Sequence, residues 1–115
     1  MDKSWNIIYY QAFGQDKSSV YSFINSLNPK LKAKVINILD LLMEKGPNLR
    51  LPHSRKLVGT DLWELRTLGN GNIRIFYVFI NGNFILLHAF SKKKQKTDRR
   101  EIRIAAARLR EYKTQ

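Results

Sequence analysis

Asn81-Gly82 stands between two runs rich in β-branched and aromatic residues, IRIFYVFI and NFILLHAF. Both central positions of a tight hairpin turn need left-handed backbone, which Asn and Gly adopt at least cost. No other feature restricts the fold so sharply: it demands an antiparallel pair covering residues 73–80 and 84–90. A third β-prone run, residues 62–67, precedes it across Gly69-Asn70-Gly71. A Gly-x-Gly step can open a phosphate cradle, but there a helix follows, whereas here a strand does, so the step reads as a turn.

The remaining elements follow from periodicity. WNIIYY at residues 5–10 is a first strand. Val20, Phe23, Ile24 and Leu27 recur at helical spacing behind Ser18 or Ser19 as a cap. Asn28-Pro29 ends that helix and starts a second, with Asn28 capping and Pro29 in the first turn. Leu31, Val35, Ile38, Leu39 and Leu42 form its apolar stripe, and Gly46-Pro47 stops it. The stretch LPHSRKLVGTD that comes next reads as a loop. At the other end TDRREIRIAAARLREY is a helix, with Asp98 and Glu101 at capping-box spacing. Its inner side is Ile102, Ala105, Ala106, Leu109 and Tyr112; Arg99, Arg103, Arg110 and Lys113 face out. The order β-α-α-β-β-β-α predicts a small α+β single domain: a largely antiparallel sheet, a helical hairpin on one face and a C-terminal helix.

Composition bounds the function. The 115 residues suit one domain, and 43% hydrophobic content suits a packed core. With no cysteine, disulfides and cysteine-based zinc sites are excluded. The first residues lack the apolar core of a signal peptide, and no run is long enough to span a membrane, so a cytoplasmic location is expected. Charge is the strongest indicator. Twenty-one Lys and Arg oppose nine Asp and Glu, a net +12. Residues 50–115 carry fifteen of the bases against five acids, and every arginine lies there. Such a half is the footprint of a polyanion-binding surface, because guanidinium groups make forked contacts with phosphate.

Two of those arginines lie on strands. If the turn pairs Thr67 with Ile73, Arg66 stands directly opposite Arg74. Like charges so placed repel, and an anion between them relieves the repulsion. Glu64, on the same face as Arg66, reads as its charge partner. Six basic residues follow the last strand within residues 92–100: Lys92, Lys93, Lys94, Lys96, Arg99 and Arg100. His53, Arg55 and Lys56 precede the strands. A two-residue turn at Asn81-Gly82, carried down the strands, puts His88 on the face of Ile75 and Tyr77, away from Arg74, as a core histidine.

The succession LWELR, RIFY, LLHAFSKKKQKT and EIRIAAAR resembles the HigB-type branch of the RelE/ParE toxin superfamily. The resemblance covers nearly the whole chain and is strongest over residues 56–112. It implies one RelE-like toxin domain over residues 1–115, from a type II toxin–antitoxin system. Its activity would be that of an mRNA interferase: a ribosome-dependent, metal-independent endoribonuclease using 2′-hydroxyl attack and no cofactor. The implied partners are a HigA-type helix-turn-helix antitoxin, mRNA and the ribosome, with no membrane. Arg66 and Arg74 match the strand positions that grip the scissile phosphate. Lys92 or Lys93 matches the basic residue ending the last strand, and Lys56 a basic loop position. Arg55, Lys56, Lys94, Lys96 and Arg99 are the implied RNA- or ribosome-binding residues. The catalytic tyrosine of some relatives has no counterpart, since Tyr112 falls on the apolar stripe. The alternatives are a ParE-like gyrase inhibitor and a non-catalytic RNA-binding module.

Overall fold

The computed structural model describes residues 5–69, 72–93 and 95–115. Asn70 and Gly71 of the expected turn, and Lys94 of the expected RNA-binding set, lie outside the described residues. The elements run β1 (Asn6–Tyr9), α1 (Ser19–Ser26), α2 (Pro29–Lys45), β2 (Ser54–Lys56), β3 (Trp63–Arg66), β4 (Ile73–Ile80), β5 (Asn83–Ser91) and α3 (Arg99–Thr114). They build an α+β domain around one five-stranded sheet of order β1-β5-β4-β3-β2. Among the described residues β1 alone pairs in parallel, beside β5, and the other pairings are antiparallel.

Local chemistry accounts for the boundaries. Asn81 (φ 51°) and Gly82 (φ 81°) both take left-handed backbone, so the β4–β5 turn is the expected one. The Ser18 hydroxyl caps α1 by accepting from the Tyr21 N–H, and the Asn28 side-chain Oδ1 caps α2 by accepting from the Leu31 N–H. Gly46 closes α2 at φ 63°. A Cβ there would lie 2.6 Å from the Trp5 ring, so packing as well as φ demands glycine.

The stretch expected to be a loop contains β2. Its three residues are too short for any periodicity to show, and β3 templates them by offering its free edge: Arg55 pairs with Glu64 and Lys56 with Trp63.

Each face of the sheet holds its own core. Val20, Ile24, Val35, Ile38, Leu39 and Leu42 of the helical hairpin pack on Leu65, Ile73, Ile75, Tyr77, Phe84, Leu86 and Ala89. On the other face Ala105 and Leu109 of α3 pack on Leu62, Phe76, Val78, Ile85, Leu87 and Phe90. Tyr112 joins this second core, as its helical spacing predicts. The helix covers β5 and β4. Arg55, Glu64, Arg66 and Arg74 share its face toward the β2 edge, beyond the apolar core.

The hairpin register departs from expectation halfway along. Ile80 faces Asn83 and Tyr77 faces Leu86, as a two-residue turn dictates, but then Phe76 faces His88. Leu87 is therefore an extra residue, a β-bulge, and the face of His88 is reversed. The imidazole stands on the α3 face, stacked on Phe90 with centroids 5.4 Å apart, not with Ile75 and Tyr77. Packing overrides the turn here, because the slip lets the bulky Phe90 sit under α3 against Phe76 and leaves small Ala89 for the helical-hairpin core.

Candidate functional site

Thr67 N–H donates to Ile73 O at 3.1 Å, so β3 and β4 begin pairing where the sequence predicts, and Arg66 stands opposite Arg74. The site grows from this pair. Arg74 is 6% exposed, with Nη1 donating to Ile73 O at 3.1 Å. Arg66 is half-buried.

Glu64 lies at the centre with no exposed surface. Its Oε1 accepts from Arg55 Nε at 3.0 Å and stands 3.8 Å from Arg66 Nε and 4.0 Å from Arg74 Nε. The carboxylate expected to partner Arg66 thus serves three guanidinium groups, and Arg55 is nearest. One buried anion among three cations makes their proximity tolerable. It does not neutralise them. Glu64 Oε2, Arg66 Nε and Arg74 Nε are all buried without a hydrogen-bond partner among the described residues, leaving bonding capacity unspent at the centre of the cluster.

Lys92 completes it. Phe90 pairs with Arg74, so alternation brings Lys92 onto the Arg74 face just past β5, where its N–H donates to Asn72 O at 2.8 Å. Burial pulls the ammonium below the usual lysine range; Arg74, Arg55 and Arg66 push the same way, and Glu64 opposes them. Burial likewise lowers the Arg74 guanidinium, Glu64 opposing and the neighbouring arginines assisting. Asn72, Arg74, Lys92, Lys93 and Gln95 line a shallow recess of about 280 Å³. A second recess of about 180 Å³ joins Lys92, Lys93, Lys96 and Arg100 to the start of α3. A cationic track therefore runs from Arg55 through Arg66 and Arg74 to Lys92 and on to Lys96.

Not every expected residue lies on it. Lys56 pairs with Trp63 and so projects to the opposite face from Arg55. His53 belongs to a recess on the helical-hairpin side with Lys34, Asn37 and Thr67. Arg99 is exposed at the first turn of α3, where Asp98 caps the helix by accepting from Arg100 N–H. Among the described residues no three His, Asp or Glu side chains gather as a metal ion would require.

Arg108 escaped the sequence reading. It donates from Nη1 to Leu87 O at 2.8 Å, approaches His88 Nδ1 at 3.3 Å, and lies over the Tyr10 ring at 5.7 Å. Helical phase could have found it, since it is three residues past Ala105 on the buried side. An arginine only donates, so His88 Nδ1 must accept, and the proton sits on Nε2, shared with Glu101 Oε1 at 2.9 Å. His88 is thus held neutral: burial draws its pKa down against the pull of Glu101, and Arg108 adds to the lowering.

Sheet, helices and cationic track together define a small α+β protein with a basic face on its sheet. The family model of the phage-derived Gp49-like proteins (DUF891) matches residues 22–110, and the chain belongs to this toxin–antitoxin-related family. No curated protein matches the chain. Among the described residues no helix is long and apolar enough to cross a membrane.

Proposed function

We propose that the protein is a HigB-type toxin, an mRNA interferase that cuts messages on the translating ribosome and is silenced by a HigA-type helix-turn-helix antitoxin. On this reading residues 1–115 act as one RelE-like toxin domain in the cytoplasm. The observation that carries it is the opposition of Arg66 and Arg74 around the shared Glu64 carboxylate, with Lys92 beside Arg74 in one recess. RNA brings its own nucleophile. The 2′-hydroxyl releases its proton to solvent as its oxygen attacks the adjacent phosphorus in line, the bond to the 5′-oxygen breaks, and a 2′,3′-cyclic phosphate and a 5′-hydroxyl result. Arg66 and Arg74 hold the charge gathering on the non-bridging oxygens, usually the largest contribution to such catalysis. Lys92, its pKa lowered by burial, surrenders a proton to the departing 5′-oxygen more readily than an ordinary lysine. Lys93, Lys96 and Arg99 extend the contact along the RNA backbone or the ribosome.

The aromatics on this face favour cleavage over passive RNA binding. Phe76 and Phe90 are under α3, where no base could stack on them. The deciding experiment adds the protein to a cell-free translation mixture and maps the messages. Cuts that require ribosomes are expected. Intact messages with gyrase-trapped DNA breaks would establish the ParE-like alternative; RNA retained but uncut would establish a binding module. Co-expression with the product of the adjacent gene should yield a tight complex and restore growth. Failure of both would remove the antitoxin from the proposal.

A further inference from the structure

The bulge at Leu87 decides more than where His88 points. Every residue after an inserted one changes face. Had the register at Ile80–Asn83 continued, Arg74 would meet Ala89. Ser91 and Lys93 would then share its face, and Lys92 would turn toward the helical hairpin. With Leu87 inserted, Arg74 meets Phe90 and Lys92 comes to the arginines.

Both bulge residues are gripped from α3. Arg108 Nη1 donates to Leu87 O and approaches His88 Nδ1, while Glu101, two turns earlier on the same side of the helix, takes His88 Nε2. A bulged residue stands outside the ladder, so its polar groups need partners from elsewhere. Arg108 is half-buried and comes from the helix, not from either strand of the pair.

We propose that Arg108 is a positioning residue: by holding the bulge it brings Lys92 onto the face of Arg66 and Arg74, with Lys93 at the border of the same recess. It works on a site it does not touch. The functional part of this claim rests on the cationic site acting on RNA; the placement of Lys92 does not.

The test separates the two. Lysines carrying ¹³C at Cε report each ammonium's titration by NMR, with Lys92→Arg assigning the Lys92 signal. In the unaltered protein the Lys92 ammonium should titrate below an ordinary lysine, because partial burial and the neighbouring guanidinium groups both disfavour its charge. In Arg108→Met, which keeps the buried stem and removes the donors, it should move back toward the ordinary value. Arg108→Lys supplies one ammonium that cannot serve Leu87 O and His88 Nδ1 together, so a smaller shift is expected. That variant decides the matter if Arg108→Met fails to fold. A Lys92 titration unmoved in the folded variant overturns the proposal.

The cleavage assay adds a second reading. Arg108→Met should lose activity on the order of a hundredfold, as should Lys92→Ala. Combining the two should cost little more than either alone, because one acts through the other. Lys93→Ala should do more harm in the Arg108→Met background than by itself. Additive losses would make Arg108 a mere tie for α3. If the protein cuts no RNA but the Lys92 titration still follows Arg108, the proposed function falls and the positioning role stands.

Discussion

Arg66 and Arg74 face each other across β3 and β4 with the buried carboxylate of Glu64 beside both, 3.8 Å from one and 4.0 Å from the other. Two guanidinium groups held together against their repulsion are, on the proposed function, a preformed anion site. Removing either should separate function from folding. Arg66→Ala and Arg74→Met should each lower cleavage by about a hundredfold or more, the usual effect of deleting one charge-stabilising donor. Methionine fills the buried stem of Arg74, and Arg66 is partly exposed, so melting temperatures should hold. Arg74→Lys should not restore activity, because one ammonium cannot reproduce the fork. If both variants unfold, the pair is structural.

Glu64 should behave in the opposite way. Glu64→Ala strips the shared counter-ion from Arg55, Arg66 and Arg74 and should cost about 2 kcal/mol of stability, read from the denaturant midpoint at constant slope. Inorganic phosphate should recover part of that loss, since an anion binding only the folded state stabilises it by mass action. A variant as stable as the parent, or indifferent to phosphate, would contradict the assigned role.

Acid sensitivity should trace to His88. Burial keeps its folded pKa below the model-peptide value of 6.5. Between those two values the unfolded chain binds a proton that the folded chain refuses. Stability should therefore be complete above about pH 6.5 and decline as pH falls toward the folded value. His88→Gln should flatten that slope in calorimetric melts. Glu111 is lowered by its hydrogen bonds with Tyr10 and the Phe13 N–H, so its contribution disappears only below about 4.5. A parent melt that is level from about pH 7 to 5 would refute the assignment.

Gly46→Ala tests the seam between Trp5 and α2. The new methyl meets left-handed backbone and the indole ring at once, and a loss of about 2–3 kcal/mol is expected. Trp5→Ala in the same background should relieve the clash, though not the backbone strain. A Gly46→Ala variant as stable as the parent would place the ring elsewhere.

Short-range chemistry carried most of this fold into the sequence. Asn81-Gly82, the Asn28-Pro29 start and the Gly46-Pro47 stop act over a few residues, so they are legible without knowledge of the rest. The Arg66–Arg74 opposition was also legible, because a short connection from Thr67 to Ile73 propagates a register faithfully over two residues. Tertiary structure alone decided the rest. β2 exists because the edge of β3 templates it. Glu64 serves three arginines because β2 delivers Arg55 to it. Lys92 comes to the face of Arg74 because a bulge costs little locally and is chosen by where Phe90, Ala89 and Arg108 pack. A single inserted residue reverses every face beyond it, and no local signal in the hairpin announces where packing against a distant helix will place it.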